Sequence, residues 1–264
     1  MSTEPIPPRP DALHPMPAAP VALDTPRRGL AGMPKATWRV WEALAVYVAA
    51  FFAGGIAALP VLHLVGEDDF GAIVATVVAA LVILGVLVFW LQRGHAGWVD
   101  VLGVPSDWLS ELRAGVVFGI GLYPVVVFVV GLALVVVFRF LSGHPVQAPE
   151  QISQDLPILG TAITIAYGVV LAPIGEELFF RGVLFRAIRD RYGFAGGALG
   201  SAVAFGSIHY IPGPALGSLL LMTVMVFTGL GLAYIYERRG SIIAPIAAHM
   251  TFNVIGLILI YALR

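Results

Sequence analysis

The chain has 264 residues, of which 59% are hydrophobic and only 12% are charged, and its mean hydropathy is +0.91. Soluble domains are about half apolar and about a quarter charged, so these values indicate a protein with several membrane spans. The net charge of −1 gives no reason to expect nucleic-acid binding. The absence of cysteine excludes disulfide bridges and thiolate metal sites.

Residues 1–36 precede the first long apolar run and are rich in proline. Repeated prolines oppose helix formation, and the segment lacks the charged start and apolar stretch of a signal peptide. The sequence therefore predicts a disordered tail over 1–36 and a transmembrane helical domain over 37–264.

Seven apolar runs follow the tail, and a helix that crosses the hydrocarbon core needs roughly 20 such residues. The runs lie at about 38–65, 70–91, 114–141, 157–191, 194–210, 215–236 and 241–263. Pro173 interrupts the fourth run, which leaves open an eighth, split or re-entrant segment. The predicted fold is an all-α, polytopic transmembrane helix bundle with seven to eight spans.

The arginines are distributed unevenly among the loops between these runs. With the N-terminus inside, nearly all of them are cytoplasmic and only Arg139 and Arg264 are outside, as the positive-inside rule requires. The sequence thus predicts an integral membrane protein with its N-terminus inside. The small size and the preference for arginine over lysine point to a bacterial cytoplasmic membrane.

Three ionisable residues lie in the apolar stretch 174–191. Glu177 and Arg181 are four residues apart, so on an α-helix they share a face and can pair. Glu176 is rotated by about 100° and is left free to act as a general base. Charged groups in membrane helices are costly and are retained for function or for pairing.

Two further pairs occur at helical spacing in later spans. Phe205 and His209 are four residues apart, as are His249 and Asn253, so each pair is predicted to share a helix face. At about 1.5 Å per residue, Glu176 and His209 lie roughly 22 Å from the predicted turn at 191–194. Asn253 lies roughly 20 Å from the predicted loop at 239–240, with His249 one turn shallower. These four polar side chains are predicted to meet at one depth.

A carboxylate, two imidazoles and an amide in one apolar slab suggest hydrolysis by an activated water. Glu176 would take the proton with help from one histidine, while the other histidine and Asn253 would donate to the developing oxyanion. The same histidines and glutamate could instead hold zinc with one open position. The HExxH pattern is absent, and we predict no bound metal or other cofactor, with zinc as the alternative.

Three motifs in chain order resemble those of the CAAX prenyl protease and bacteriocin-processing (CPBP, or Abi) intramembrane peptidases. They are Glu176-Glu177-x-x-x-Arg181, Phe205-x-x-x-His209 and His249-x-x-x-Asn253. The resemblance covers residues 155–260 and implies a glutamate endopeptidase rather than a metalloprotease. It implies catalytic roles for Glu176, His209, His249 and Asn253, and supporting roles for Glu177, Arg181 and Phe205.

The implied substrate is a membrane-embedded or lipidated peptide or protein, with the lipid bilayer as a second partner. A non-catalytic membrane scaffold or a bacteriocin-immunity protein on the same fold is an alternative, since fold does not establish turnover. A proton-coupled carrier is another alternative, because buried ionisable groups also mark ion paths. The sequence shows no internal repeat of the kind found in transporters.

Overall fold

The computed structural model describes residues 29–149 and 156–262. Within these ranges the chain forms a short 3-10 helix at Gly29–Gly32, seven longer helical elements and no strand. They are α1 (Val40–Val65), α2 (Asp69–Gly94), α3 (Trp98–Leu102), α4 (Trp108–Ser142), α5 (Ile158–Ser207), α6 (Ala215–Arg239) and α7 (Ile243–Ala262). All except α3 are long and apolar enough to cross a membrane. The predicted all-α, polytopic bundle is confirmed, and the chain is an integral multi-pass membrane protein.

The helix α5 departs from the predicted span boundaries, because it replaces two predicted spans by one bent element. It continues through Pro173 and turns back at Gly193, whose left-handed φ of 75° suits a residue without a side chain. We call 158–192 the first arm and 194–207 the second arm. The second arm is about 21 Å long, shorter than the roughly 30 Å hydrocarbon core. The span predicted at 194–210 is therefore a short arm, not a full-length helix.

The first arm of α5 is widened to π-helical geometry at Tyr167–Leu171 and at Leu178–Phe185. Every residue of the second stretch is buried, including the charged residue Arg181. The Arg181 side chain therefore lies in the interior of the bundle. Tyr47 of α1 stacks on Phe179 with ring centroids 3.9 Å apart. Such π-helical stretches occur frequently at functional sites.

The segment that precedes α1 packs on the bundle. Leu30 is 1% exposed and Trp38 is 3% exposed, and the Trp38 indole N–H donates to the Val183 carbonyl at 2.9 Å. The predicted disorder is therefore wrong for residues 29–36, because Leu30 within this segment and Trp38 just after it anchor the chain on the bundle. The remainder of the predicted tail, 1–28, lies outside the described residues.

Ion pairs join the helix ends at one end of the bundle. Arg189 makes two hydrogen bonds to the Glu237 carboxylate, at 2.9 and 2.7 Å, and joins α5 to α6. Arg239 makes two to Glu111, at 2.9 and 2.8 Å, and joins α6 to α4. We call this the arginine-rich end. It contains Arg93, Arg113, Arg186, Arg189, Arg191, Arg238 and Arg239.

Candidate active site

A buried carboxylate forms the centre of the site. One oxygen of Glu177, Oε1, accepts from Arg181 Nη1 at 3.0 Å and lies 2.8 Å from His249 Nδ1. The side chains of Glu177 and Arg181 are both 0% exposed. The predicted pair is present, and it extends across the bundle to α7. This third partner, His249, was not predicted for Glu177.

The Arg181 guanidinium is held from two further sides. Its Nη2 donates to the Gly229 carbonyl of α6 at 3.1 Å, and its Cζ lies 4.6 Å from the centre of the Phe205 ring. A buried charge is tolerated only when partners of this kind compensate for lost hydration. Two buried atoms, Glu177 Oε2 and Arg181 Nε, have no hydrogen-bond partner among the described residues. Buried polar atoms of this kind are usually satisfied by ordered water.

Glu176 has a different environment from its neighbour. Its side chain is 22% exposed, and its Oε2 lies 3.9 Å from His249 Nε2. This distance exceeds that of a hydrogen bond, so a water that contacts both groups would sit beside the pair. The Glu176 carboxylate also interacts electrostatically with the phenols of Tyr47 and Tyr167. Glu176 is thus partly exposed, whereas Glu177 is enclosed by the surrounding helices.

His209 lies in a turn and not in a helix. The second arm ends at Ser207, and the chain then enters the turn that contains Pro212, so the predicted extension of the helix to residue 210 is wrong. His209 Nδ1 lies 2.8 Å from the Phe205 carbonyl oxygen. In the described residues His209 makes no direct hydrogen bond to Glu176.

The Phe205 ring connects the polar groups. Its centroid lies 4.7 Å from the His209 ring and 5.6 Å from the His249 ring, and it also carries the Arg181 contact described above. Phe205 is itself fully buried. The structure therefore brings Glu176, Glu177, Arg181 and His249 together directly, and it places His209 beside them across this ring.

Asn253 binds a backbone carbonyl of the first arm. In the π-helical stretch the Ala172 N–H bonds Tyr167, five residues earlier. The corresponding partner of Gly168 would be Pro173, which has no N–H. Asn253 Nδ2 donates to this carbonyl at 2.7 Å instead. One amide hydrogen of Asn253 is thus used by the fold, and the other is available to a ligand.

The zinc alternative requires His209 to join His249 and a glutamate around one ion. Within the described residues no group of three or more histidine, aspartate or glutamate side chains is arranged to hold a metal. His249 already uses Nδ1 for Glu177, and His209 uses Nδ1 for Phe205. As placed, these residues do not form a three-ligand site, and we derive no step through a metal. The metal-free mechanism and its zinc alternative both stay predictions.

Sequence reasoning missed four contributors to this site: Tyr47, Tyr167, and the carbonyls of Gly168 and Gly229. The tyrosines offered a signal, because a phenol within an apolar span needs a polar partner. The carbonyls offered none, since every residue carries one. Glycine at position 229 also lets α6 pack closely against the second arm, as a Cβ there would lie 3.0 Å from the backbone of Ala202.

The part of the chain that contains the three motifs is similar to known proteins. Residues 158–255 match the family described as "Type II CAAX prenyl endopeptidase Rce1-like". This part of the chain is similar to that family. The match contains all seven predicted site residues, and it confirms the resemblance drawn from the three motifs.

Two relatives match part of the chain. The chain is 35% identical over 107 residues to "Putative membrane peptidase YdiL" of Bacillus subtilis (strain 168), which covers 40% of this chain and 39% of that protein. It is 28% identical over 134 residues to an "Uncharacterized 24.3 kDa protein" of Escherichia coli, which covers 48% of this chain and 60% of the relative. The similarity thus spans only part of each relative. No solved structure matches the chain significantly.

Proposed function

We propose that the protein is an intramembrane endopeptidase that hydrolyses a peptide bond of a membrane-associated or lipidated substrate. The observation that carries this proposal is the arrangement around His249. One of its nitrogens lies 2.8 Å from buried Glu177 and the other lies 3.9 Å from accessible Glu176. The Rce1-like match supports the same reaction class.

Glu176 is the proposed general base, because its side chain is 22% exposed while that of Glu177 is fully buried. Water would give its proton to Glu176 while its oxygen attacks the carbonyl carbon of the scissile peptide bond. The carbonyl oxygen then carries the negative charge of the tetrahedral intermediate. Collapse of this intermediate breaks the C–N bond, and the proton held by Glu176 passes to the departing amine.

His249 is proposed to stabilise the oxyanion. Glu177 accepts from Nδ1–H and thereby fixes the ring orientation, in the way that a second carboxylate orients a catalytic imidazole. In the imidazolium form Nε2–H is directed toward the Glu176 side of the site and can donate to an oxyanion. A preorganised donor of this kind supplies a large share of the rate in acyl-transfer reactions.

His209 and Asn253 complete the proposed machinery. The Phe205 carbonyl accepts a hydrogen bond from His209 Nδ1–H, which leaves Nε2 to accept from the attacking water together with Glu176. Asn253 donates one hydrogen to Gly168 and keeps the second for the oxyanion. Glu177, Arg181 and Phe205 position these groups without touching the substrate.

The site location supports the proposed partners and orientation. The polar groups lie among buried residues of three spanning helices, so the substrate would enter from the lipid bilayer as a membrane-embedded or lipidated peptide. The arginine-rich end would face the cytoplasm of a bacterial cell, with the N-terminus inside. We propose no bound cofactor.

The test uses the full-length protein in proteoliposomes with fluorogenic membrane peptides, one unmodified and one farnesylated. We expect wild type to cleave at least one of them. Glu176→Gln should lose at least about 100-fold in rate, which is typical when a general base is removed. Glu67→Gln is the matched control, because Glu67 is exposed in the α1–α2 loop, and it should cleave normally.

Other outcomes would redirect the proposal. Cleavage that a metal chelator abolishes would support the zinc alternative. If wild type cleaves neither peptide while Glu176→Gln still impairs the cell, the non-catalytic scaffold or immunity function is favoured. The control variant separates either result from a general effect of removing a carboxylate.

A further inference from the structure

An open groove of about 490 Å³ lies between α4 and α6 at the arginine-rich end. Three arginines line its mouth, and its wall is formed mainly by Val117, Phe118 and Tyr234. None of these side chains belongs to the candidate active site. The groove therefore needs an explanation of its own.

The mouth of the groove carries excess positive charge. Arg239 is neutralised by its two hydrogen bonds to Glu111. Arg113 and Arg238 are exposed, and neither forms an ion pair among the described residues. The nearby Asp107 uses Oδ1 to cap α4. Two arginines with free guanidinium groups thus remain at the mouth, and arginine binds phosphate through paired hydrogen bonds.

The deeper part of the groove is apolar and open to the bilayer. Val117 is 70% exposed and Tyr234 is 48% exposed, while Phe118 stacks on Tyr234 with centroids 6.2 Å apart. The helices close together below this point, since a Cβ on Gly231 would lie 2.4 Å from Leu122. The groove therefore has a closed lower boundary and an apolar side wall.

The two helices place charge and apolar surface in the same order. Arg113 precedes Val117 by four residues, and Arg238 follows Tyr234 by four residues, so each pair shares one helix face. Because α4 and α6 run in opposite directions here, both arginines lie nearer the membrane surface, about 6 Å from their apolar partners. This pattern matches a phosphate headgroup above an acyl chain.

We propose that this groove binds one anionic phospholipid. The phosphate lies between Arg113 and Arg238, and an acyl chain lies along Val117 and Tyr234. Basic pockets between spanning helices on the cytoplasmic side suit such headgroups. A soluble anion would leave the apolar wall unused. The proposal does not depend on the protease activity, because no residue of the groove takes part in that chemistry.

The test is native mass spectrometry of the full-length protein in mild detergent, titrated with phosphatidylglycerol or with phosphatidylcholine of the same acyl chains. We expect one phosphatidylglycerol molecule to be retained in preference to phosphatidylcholine. The double variant Arg113→Gln/Arg238→Gln should weaken this binding by roughly 25-fold, at about fivefold per arginine. The matched control Arg93→Gln/Arg191→Gln removes two exposed arginines from the same end and should bind like wild type.

A second variant distinguishes lipid binding in the groove from nonspecific attraction of lipid to a positively charged surface. Val117→Trp fills the apolar wall and leaves the charge unchanged, so it should lose the retained lipid. Thermal unfolding without lipid checks that each variant is folded. The proposal is overturned if the arginine control loses lipid binding as much as the double variant, or if Val117→Trp retains the lipid. It is also overturned if glycerol phosphate binds equally tightly, or if the double variant abolishes a dimer that forms without lipid.

Discussion

Replacing Glu177 by glutamine should destabilise the protein more than replacing both Glu177 and Arg181 by apolar side chains. Both groups are fully buried, and they lie 3.0 Å apart. Without the carboxylate charge, Arg181 keeps its hydrogen bond to Gly229 and its contact with Phe205. Neither group supplies a negative charge, so the buried guanidinium would lose its hydrogen-bonded counter-ion and keep only the electrostatic interaction with Glu176.

The expected magnitudes follow from this geometry. Removing one partner of a buried ion pair costs about 3–5 kcal/mol, whereas replacing both by apolar residues of similar size is often close to neutral. The double variant Glu177→Leu/Arg181→Met still leaves His249 Nδ1 without its acceptor. One unsatisfied buried group costs about 1–3 kcal/mol. We therefore expect a loss of about 3–5 kcal/mol for Glu177→Gln and of about 1–3 kcal/mol for the double variant.

The assay is unfolding by sodium dodecyl sulfate from dodecyl maltoside micelles, followed by tryptophan fluorescence. The chain has no cysteine for thiol dyes, but Trp38 is buried and hydrogen-bonded to Val183 within the π-helical stretch. Arg181→Met alone completes the thermodynamic cycle. The reasoning is refuted if Glu177→Gln unfolds like wild type, or if the double variant loses at least the sum of the two single losses.

Three further predictions concern packing and protonation. Asn253→Ala should lower the free energy of unfolding by about 1–3 kcal/mol, because the Gly168 carbonyl loses its donor; an unchanged unfolding midpoint would contradict this. Gly119→Ala should destabilise strongly, since its Cβ would lie 2.5 Å from the Ala248 carbonyl oxygen, whereas Gly121→Ala meets no atom within 4 Å and should be tolerated; equal midpoints would contradict the α4–α7 packing. Burial lowers the pKa of His95 at the end of α2, so the neutral ring stabilises the fold above about pH 6.5. This contribution is lost as the pH falls through the folded pKa. The stability advantage of wild type over His95→Phe should therefore shrink on acidification, and a constant difference would contradict the burial.

Hydropathy predicted most of the path of the chain. A run of about 20 apolar residues has few stable alternatives to a membrane helix, so six long helices were readable from composition. The short second arm was not, because its end depends on a turn at Pro212 that hydropathy does not register. The folded segment over 29–36 was also missed, since Leu30, its apolar anchor, lies between Pro26 and Pro34.

The site was only partly readable. Helical spacing correctly paired Glu177 with Arg181, because that contact lies within one helix. The contact between Glu177 and His249 joins residues from different helices, and no local pattern encodes it. The same holds for Tyr47, which reaches the site from a helix without a motif. The role of Asn253 depends on a carbonyl freed by Pro173, and this becomes visible only once the π-helical register is known.

The most direct measurement is the single-turnover rate at which the Glu176→Gln variant cleaves a peptide embedded in liposomes. The variant is first shown to be folded, by its unfolding at the same detergent concentration as wild type. The account predicts a rate lower by at least about two orders of magnitude, because the water has lost its proton acceptor. A folded Glu176→Gln enzyme that cleaves at the wild-type rate would contradict it.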